Sequence, residues 1–251
     1  MRVVCISDTH NQLQDIEIPE GDLLLHAGDL SMSFSTRTPH ILAEQIVILS
    51  RLPHKHKVFV AGNHDFGFQN NKEAMLEFMQ SLNCPSLHYL EHESIELNIR
   101  GRKIKIFGSP WQPYFHDWAF NLPRGPALAK KWEDIPLDTD IVLTHTPAGG
   151  YLDQCGKNHV GCHDLTPRLL LVKPKLHVSG HIHVGHGEVT DHGIHFINAA
   201  IIGSGYKPAN EPYVVDLCRY CDGDHLSKLC CWGGPSLLDM NYDKEGKENG
   251  V

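Results

Sequence analysis

Five times along this chain a short apolar run ends in a cluster of carboxylate, amide or imidazole side chains. The clusters are Ser7-Asp8-Thr9-His10, Ala27-Gly28-Asp29, Gly62-Asn63-His64-Asp65, Thr144-His145 and Gly180-His181-Ile182-His183. The runs before them, Arg2 to Ser7, Leu23 to Ala27, Lys57 to Ala61, Ile141 to Thr144 and Leu176 to Ser179, read as buried strands. In open α/β sheets ligands gather beyond the carboxyl ends of the strands. A fold that lays these strands side by side in one direction therefore brings the five clusters together.

The segments between them supply helices and further strands. Pro39 to Leu52 predicts a helix with Thr38 as N-cap, Pro39 at the first helical position and Leu42, Ile46 and Leu49 on one face. Asn71 stands where it would cap a second helix carrying Met75, Phe78, Met79 and Leu82. Ile95, Leu97 and Ile99 alternate with polar residues, Arg100-Gly101-Arg102 turns the chain, and Ile104 and Ile106 follow: a hairpin pattern. Strands are also expected at Ile194 to Asn198 and Tyr213 to Leu217. Together these predict an α/β fold of two packed sheets flanked by helices. No repeat or linker divides residues 1–217, which read as one domain. Residues 218–251 shift to Cys, Gly, Asp and Lys and read as an extension with a solvated tail.

Composition narrows the function. Of the 251 residues 41% are hydrophobic and 21% charged, which suits a globular core. No apolar stretch reaches the roughly 18 residues of a membrane span. Met1 to Asp8 is too short an apolar run for an export signal, so the expectation is a cytoplasmic protein whose eight cysteines are reduced thiols. A net charge of -8 argues against duplex nucleic acid as a partner. The lack of a basic, aromatic-interleaved stretch argues against a nuclease. A small phosphorylated substrate is compatible with this balance, because bound metal supplies positive charge locally.

Taken singly, none of the five motifs specifies a site, and Gly-Asn-His-Asp alone reads as a turn. Their combination is what carries chemistry in a chain with nineteen histidines. Asp8 with His10, and His181 with His183, put alternate side chains on one side of an extended segment. Asp29 offers a carboxylate able to bridge two ions, and mixed Asp, Asn and His ligands suit Mn, Fe or Zn. Two divalent ions, two carboxylates and one hydroxide sum to about +1, a receptor for a phosphodiester anion.

The order D-x-H, G-D, G-N-H-D, single His and G-H-x-H resembles the calcineurin-like metallophosphoesterases over about residues 1–217. Gly108-Ser109-Pro110-Trp111-Gln112-Pro113 and Asp117-Trp118-Ala119-Phe120-Asn121 are similar to the small metallophosphoesterase-domain-containing subgroup. The resemblance implies a four-layer α/β/β/α sandwich of two mixed sheets flanked by helices, with a dinuclear centre among the loops. Matched position by position, one metal would take Asp8, His10, Asp29 and His183, and the other Asp29, Asn63, His145 and His181. His64 would be the imidazole over the phosphate, oriented by Asp65. The implied activity is a metal-dependent phosphodiesterase acting on a small ester such as a cyclic nucleotide. A small-molecule phosphomonoesterase and a non-catalytic scaffold of the same fold are the alternatives.

The chain departs from the phosphoprotein phosphatase branch. Leu30-Ser31-Met32-Ser33 stands where those enzymes carry Asp-Arg-Gly, and Ala61 replaces an Arg before Gly-Asn-His. Phosphate-gripping arginines are therefore missing from the expected places, which makes a phosphoprotein an unsuitable substrate. The last histidine of G-H-x-H, lost in some members of the closer subgroup, is present as His183.

Other residues have simpler readings. His26, inside an apolar run, reads as a hydrogen-bonded core histidine. His186 lines the site or lies at the surface, and Trp111, Tyr114 and His116 form either a pocket wall or local packing. Cys218, Cys221, His225, Cys230 and Cys231 suggest a zinc site, but the Cys-Cys pair departs from finger and ribbon spacings. A free-thiol extension packed on the domain is the simpler reading.

Overall fold

The computed structural model describes residues 1–32, 39–203 and 205–217. Thr38 and the Cys218–Cys231 group lie outside them. The strands of the first half are β1 (Arg2–Ile6), β2 (Leu23–His26), β3 (His56–Phe59), β4 (Leu87–Tyr89), β5 (Glu93–Ile99), β6 (Arg102–Ser109), β7 (Gln112–Pro113) and β8 (Asn121–Leu122). Those of the second half are β9 (Ile141–Thr144), β10 (Gln154–Cys155), β11 (Asn158–His159), β12 (Leu176–Ser179), β13 (Gly187–Asp191), β14 (Ile194–Asn198) and β15 (Tyr213–Asp216). The helices are α1 (Pro39–Arg51), α2 (Phe66–Asn70), α3 (Lys72–Ser81), α4 (Pro126–Trp132) and α5 (Leu165–Val172).

Two large sheets stack face to face. The first has the order β15-β1-β2-β3-β4 and the second β13-β14-β12-β9-β6-β5. β1 to β4 run parallel, as do β14, β12, β9 and β6, while β15, β13 and β5 are antiparallel to their neighbours. The expected strands and hairpin are all present, with ends shifted by a residue or two. Asn71 does stand at the N-cap of α3, but its side chain makes no capping hydrogen bond.

The layering follows from strand periodicity. Val3 and Cys5 of β1 face the second sheet and pack with Leu25, Val58, Ile106, Ile141 and Val178. Val4 and Ile6 face the other way, onto Leu42, Ile46 and Leu49 of α1 and Met75 of α3. The outer face of the second sheet buries Phe107, Val142 and Phe196 against Leu128 and Trp132 of α4 and Leu165 and Leu169 of α5. Strands buried on both faces must be apolar throughout, which is why they read as continuous runs. The chain thus forms the α/β/β/α sandwich. Beyond the strand ends a bridge between Ser7 and Ala200 joins the two sheets, so their parallel strands end at one edge. Among the described residues no helix is long and apolar enough to cross a membrane.

Candidate metal centre

All five clusters meet at that edge. The chain must turn sharply there, and four site residues hold left-handed backbone: Asp8 (φ 52°), His10 (φ 41°), Asp29 (φ 56°) and His181 (φ 66°). Such conformations cost of order 1–3 kcal/mol each in non-glycine residues and persist where surrounding structure enforces them. Gly28 (φ 98°) has no room for a side chain, since a Cβ would stand 2.6 Å from His145 Nδ1 and 2.8 Å from the Ala61 carbonyl. At Gly180 a Cβ would collide with Ser7 and with the Asp8 carboxylate.

The side chains form two adjoining groups that share Asp29. In the first, His10 Nε2 lies 3.1 Å from His183 Nε2, 4.0 Å from Asp8 Oδ1 and 3.8 Å from Asp29 Oδ2, and His183 Nε2 lies 3.3 Å from Asp8 Oδ1. In the second, His145 Nε2 lies 3.5 Å from Asp29 Oδ2 and 2.9 Å from Asn63 Oδ1. The His181 ring stands 5.0 Å from that of His145. Its backbone N–H donates to both Asp8 oxygens, at 3.1 and 2.9 Å. A ring nitrogen of His64 lies within 4.8 Å of the ligand atoms of His10 and Asp29. The His64 backbone N–H donates to Asp29 Oδ1 at 2.8 Å.

The donor set fits metal. His10 Nδ1 faces the Ser31 carbonyl at 3.3 Å and His145 Nδ1 the Ala27 carbonyl at 2.8 Å. A carbonyl only accepts, so each Nδ1 carries a proton; Nε2 of His10 then presents its lone pair to the carboxylates, and Nε2 of His145 does so once its own proton leaves. Acceptors gathered on acceptors call for a cation. Burial pulls the His181 imidazole down to about 3 and lowers that of His10, leaving both neutral. At His145 burial opposes the charged form, but Asp29 and Asp8 outweigh it and push the group up to about 9. Burial likewise opposes ionisation of Asp8 and Asp29. The histidines around them win, and both carboxyls sit well below the usual range.

A model of the calcineurin-like phosphoesterase family matches residues 1–185. The chain belongs to the calcineurin-like phosphoesterases. It is 38% identical over 235 residues to human metallophosphoesterase domain-containing protein 1, across 86% of this chain and 71% of that protein. Two solved structures share the fold. TT1561 of Thermus thermophilus matches at a TM-score of 0.56 and 17% identity, over 78% of this chain and 88% of that one. The phosphopantetheinyl hydrolase of Mycobacterium tuberculosis matches at 0.53 and 15%, over 80% and 89%. Members of this family are hydrolases of phosphate esters and typically bind a pair of divalent metals, and the Asp/His groups here are of the kind that holds metal.

Several residues of this phosphoesterase sit differently from their simplest readings. The Asp65 carboxylate accepts from the backbone of Leu30 (3.2 Å), Ser31 (2.9 Å) and Gly62 (2.8 Å) and from the Ser31 hydroxyl (2.9 Å). It therefore ties the loop of Asp29 to that of Asn63. Burial and the Asp29 charge push it up to about 6 against these hydrogen bonds. His26 is the hydrogen-bonded core histidine expected. Its Nδ1 accepts from the Gly28 N–H (3.2 Å), so its Nε2–H donates to Thr9 Oγ1 (3.0 Å). Trp111 is packed on Phe120 beneath Lys131, and His186 lies 4.8 Å from the Tyr213 ring. The rings beside the candidate site residues His64, His181 and His183 are instead Trp118, Phe115 and Tyr206.

Proposed function

We propose that this phosphoesterase hydrolyses a phosphodiester of a small molecule, a cyclic nucleotide being the leading candidate. The observation that supports it is Asp29, whose Oδ2 lies 3.8 Å from His10 Nε2 and 3.5 Å from His145 Nε2 and so suits a bridging ligand. In this reading Asp8, His10, Asp29 and His183 hold one divalent ion and Asp29, Asn63, His145 and His181 the other. The pair, as Mn, Fe or Zn, supplies Lewis acidity to the ester and lowers the pKa of water.

The remaining roles fall to the protein. Asn63 Nδ2 is buried without a hydrogen-bond partner among the described residues. A buried donor left unmade costs about 1–3 kcal/mol, and a phosphoryl oxygen would satisfy it. His64 holds a proton at a ring nitrogen and delivers it to the leaving oxygen. Asp65 sets the turn that carries His64. Arg100, Arg124 and Arg168 are engaged elsewhere, with Asp22, Gly161 and Ile135. In this reading the phosphate charge falls to the metal pair, and a site near +1 favours a monoanionic diester over a dianionic monoester. Cys5, Cys84, Cys155 and Cys162 are free thiols, in keeping with a cytoplasmic setting.

The test is reconstitution of metal-free protein with Mn, Fe or Zn, then assay against cyclic nucleotides, an aryl diester and an aryl monoester. Faster turnover of the diesters is the expected result. Turnover of the monoester alone would replace this reading with a phosphomonoesterase, and none on any ester with full metal content would favour a scaffold.

A further inference from the structure

Three aromatic side chains of this molecule are largely exposed among the described residues: Tyr114 (62%), Phe115 (44%) and Tyr206 (50%). The other large exposed hydrophobics are Leu or Val. All three belong to two loops that flank the metal ligands, and exposed aromatic surface concentrated at a site marks something to be covered.

The loop between β7 and β8 carries the larger group. The Trp118 ring lies 4.3 Å from that of His64, and Phe115 lies 5.2 Å from Trp118 and 5.5 Å from His181. On the other loop, Tyr206 stands 6.0 Å from His10 and 5.7 Å from His183. The loop is held in place. Ala119 N–H donates to the Asn63 carbonyl at 3.0 Å, and Phe120 N–H donates to the Gln69 side chain. Asn121 accepts from the Phe115 N–H at 3.1 Å and donates to the His116 carbonyl at 2.7 Å. Rings fixed before binding lose little conformational entropy when a ligand stacks on them.

We propose that Phe115 and Trp118 form a stacking subsite for a planar aromatic group of the substrate, on the side of the leaving oxygen. This rests on the phosphodiesterase reading, because the side is set by His64 as the proton donor and Trp118 packs on His64. Tyr206, from the other loop, bounds the site near His10 and His183. No charged side chain is needed for such selection. Stacking on aromatic residues contributes about 1–3 kcal/mol per base and tolerates any π-face, so the subsite discriminates ring from no ring and not one ring from another.

Competitive binding to the metal-loaded protein tests the idea, read by calorimetry and by inhibition. The probes form two matched pairs, phenyl phosphate against methyl phosphate and adenosine monophosphate against ribose 5-phosphate, with inorganic phosphate as reference. In the wild type the aromatic member of at least one pair should bind about 5- to 150-fold more tightly. The first pair reports a ring attached at the phosphate, the second a ring one sugar away. Phe115→Leu, at an exposed position, and Trp118→Leu should each erase most of that preference while leaving affinity for inorganic phosphate unchanged. Equal weakening of phosphate and aromatic probes would overturn the proposal, since the loop would then only support the metal site. So would a wild type without preference, or variants that keep it. A wild type that binds selectively but hydrolyses no diester would uphold the subsite and remove the phosphodiesterase reading.

Discussion

His145 Nε2 stands 2.9 Å from Asn63 Oδ1, and the opposite nitrogen of the same ring is committed to the Ala27 carbonyl. In the metal-free protein a proton on Nε2 relieves the contact between these acceptors, and the Asp29 charge helps push that proton's pKa up to about 9. A metal ligand must present its lone pair, so binding expels this proton. Affinity for the divalent ion should therefore rise with pH and level off once the pH passes about 9. Between pH 6.5 and 8.5 the gain should be on the order of 10- to 100-fold, measured by competition with a chelator. A flat profile would remove His145 from the ligand set.

Asp29 is the second point at which the assignment is exposed. Its Oδ2 atom lies 3.8 Å from His10 and 3.5 Å from His145, one histidine from each group. Asp29→Asn keeps the size of the side chain but loses the charge that lets one group serve two cations. Elemental analysis of purified protein should find close to two ions in the wild type and a loss of most of both in the variant. Unchanged metal content would sink the bridging role.

The candidate ligand residues were legible in the sequence because each sits where a buried strand ends, and an apolar run that stops at Asp, Asn or His shows in the letters alone. The strands that carry them were legible for a related reason: Val3 to Ile6 is apolar at every position because both faces are covered. Helices α2 and α5 were not. α2 is five residues, too short to show a period, and in α5 the run Leu169-Leu170-Leu171-Val172 carries no clear polar face. The aromatic rim escaped for a different reason. Tyr206 reaches His10 and His183 through a loop after β14, a proximity that only the tertiary fold creates. Trp111 and Trp118 stand on either side of the short strand β7, and only structure shows that the second packs on His64.

His64 separates binding from chemistry. Its ring lies within reach of His10 and Asp29 but is assigned to the leaving oxygen and not to a metal. His64→Ala should retain the metal content and lower kcat by about 10²–10⁴-fold. The loss should shrink for a nitrophenyl ester, whose leaving group needs no proton. Equal losses for good and poor leaving groups would show that His64 serves the phosphoryl oxygens instead.

Away from the reacting atoms, one buried histidine ties stability to pH. His177, in the middle of β12, is buried, and burial pulls its imidazole down to about 3. Thr144 Oγ1 gives its single proton to the Thr146 carbonyl at 2.6 Å, so it accepts from His177 Nε2–H at 2.9 Å, and that imidazole is held neutral. An unfolded histidine titrates near 6.5. Below that pH the unfolded chain binds a proton that the folded one refuses, so stability is complete above about 6.5 and falls as pH drops toward 3. At pH 5 the loss from this one residue is about 2 kcal/mol. Urea midpoints of the metal-free protein should fall accordingly between pH 7 and 5. His177→Gln keeps a side-chain N–H for Thr144 but cannot take up a proton, so its midpoint should change less over that interval. If wild type and variant lose stability in parallel, His177 is not the group that titrates.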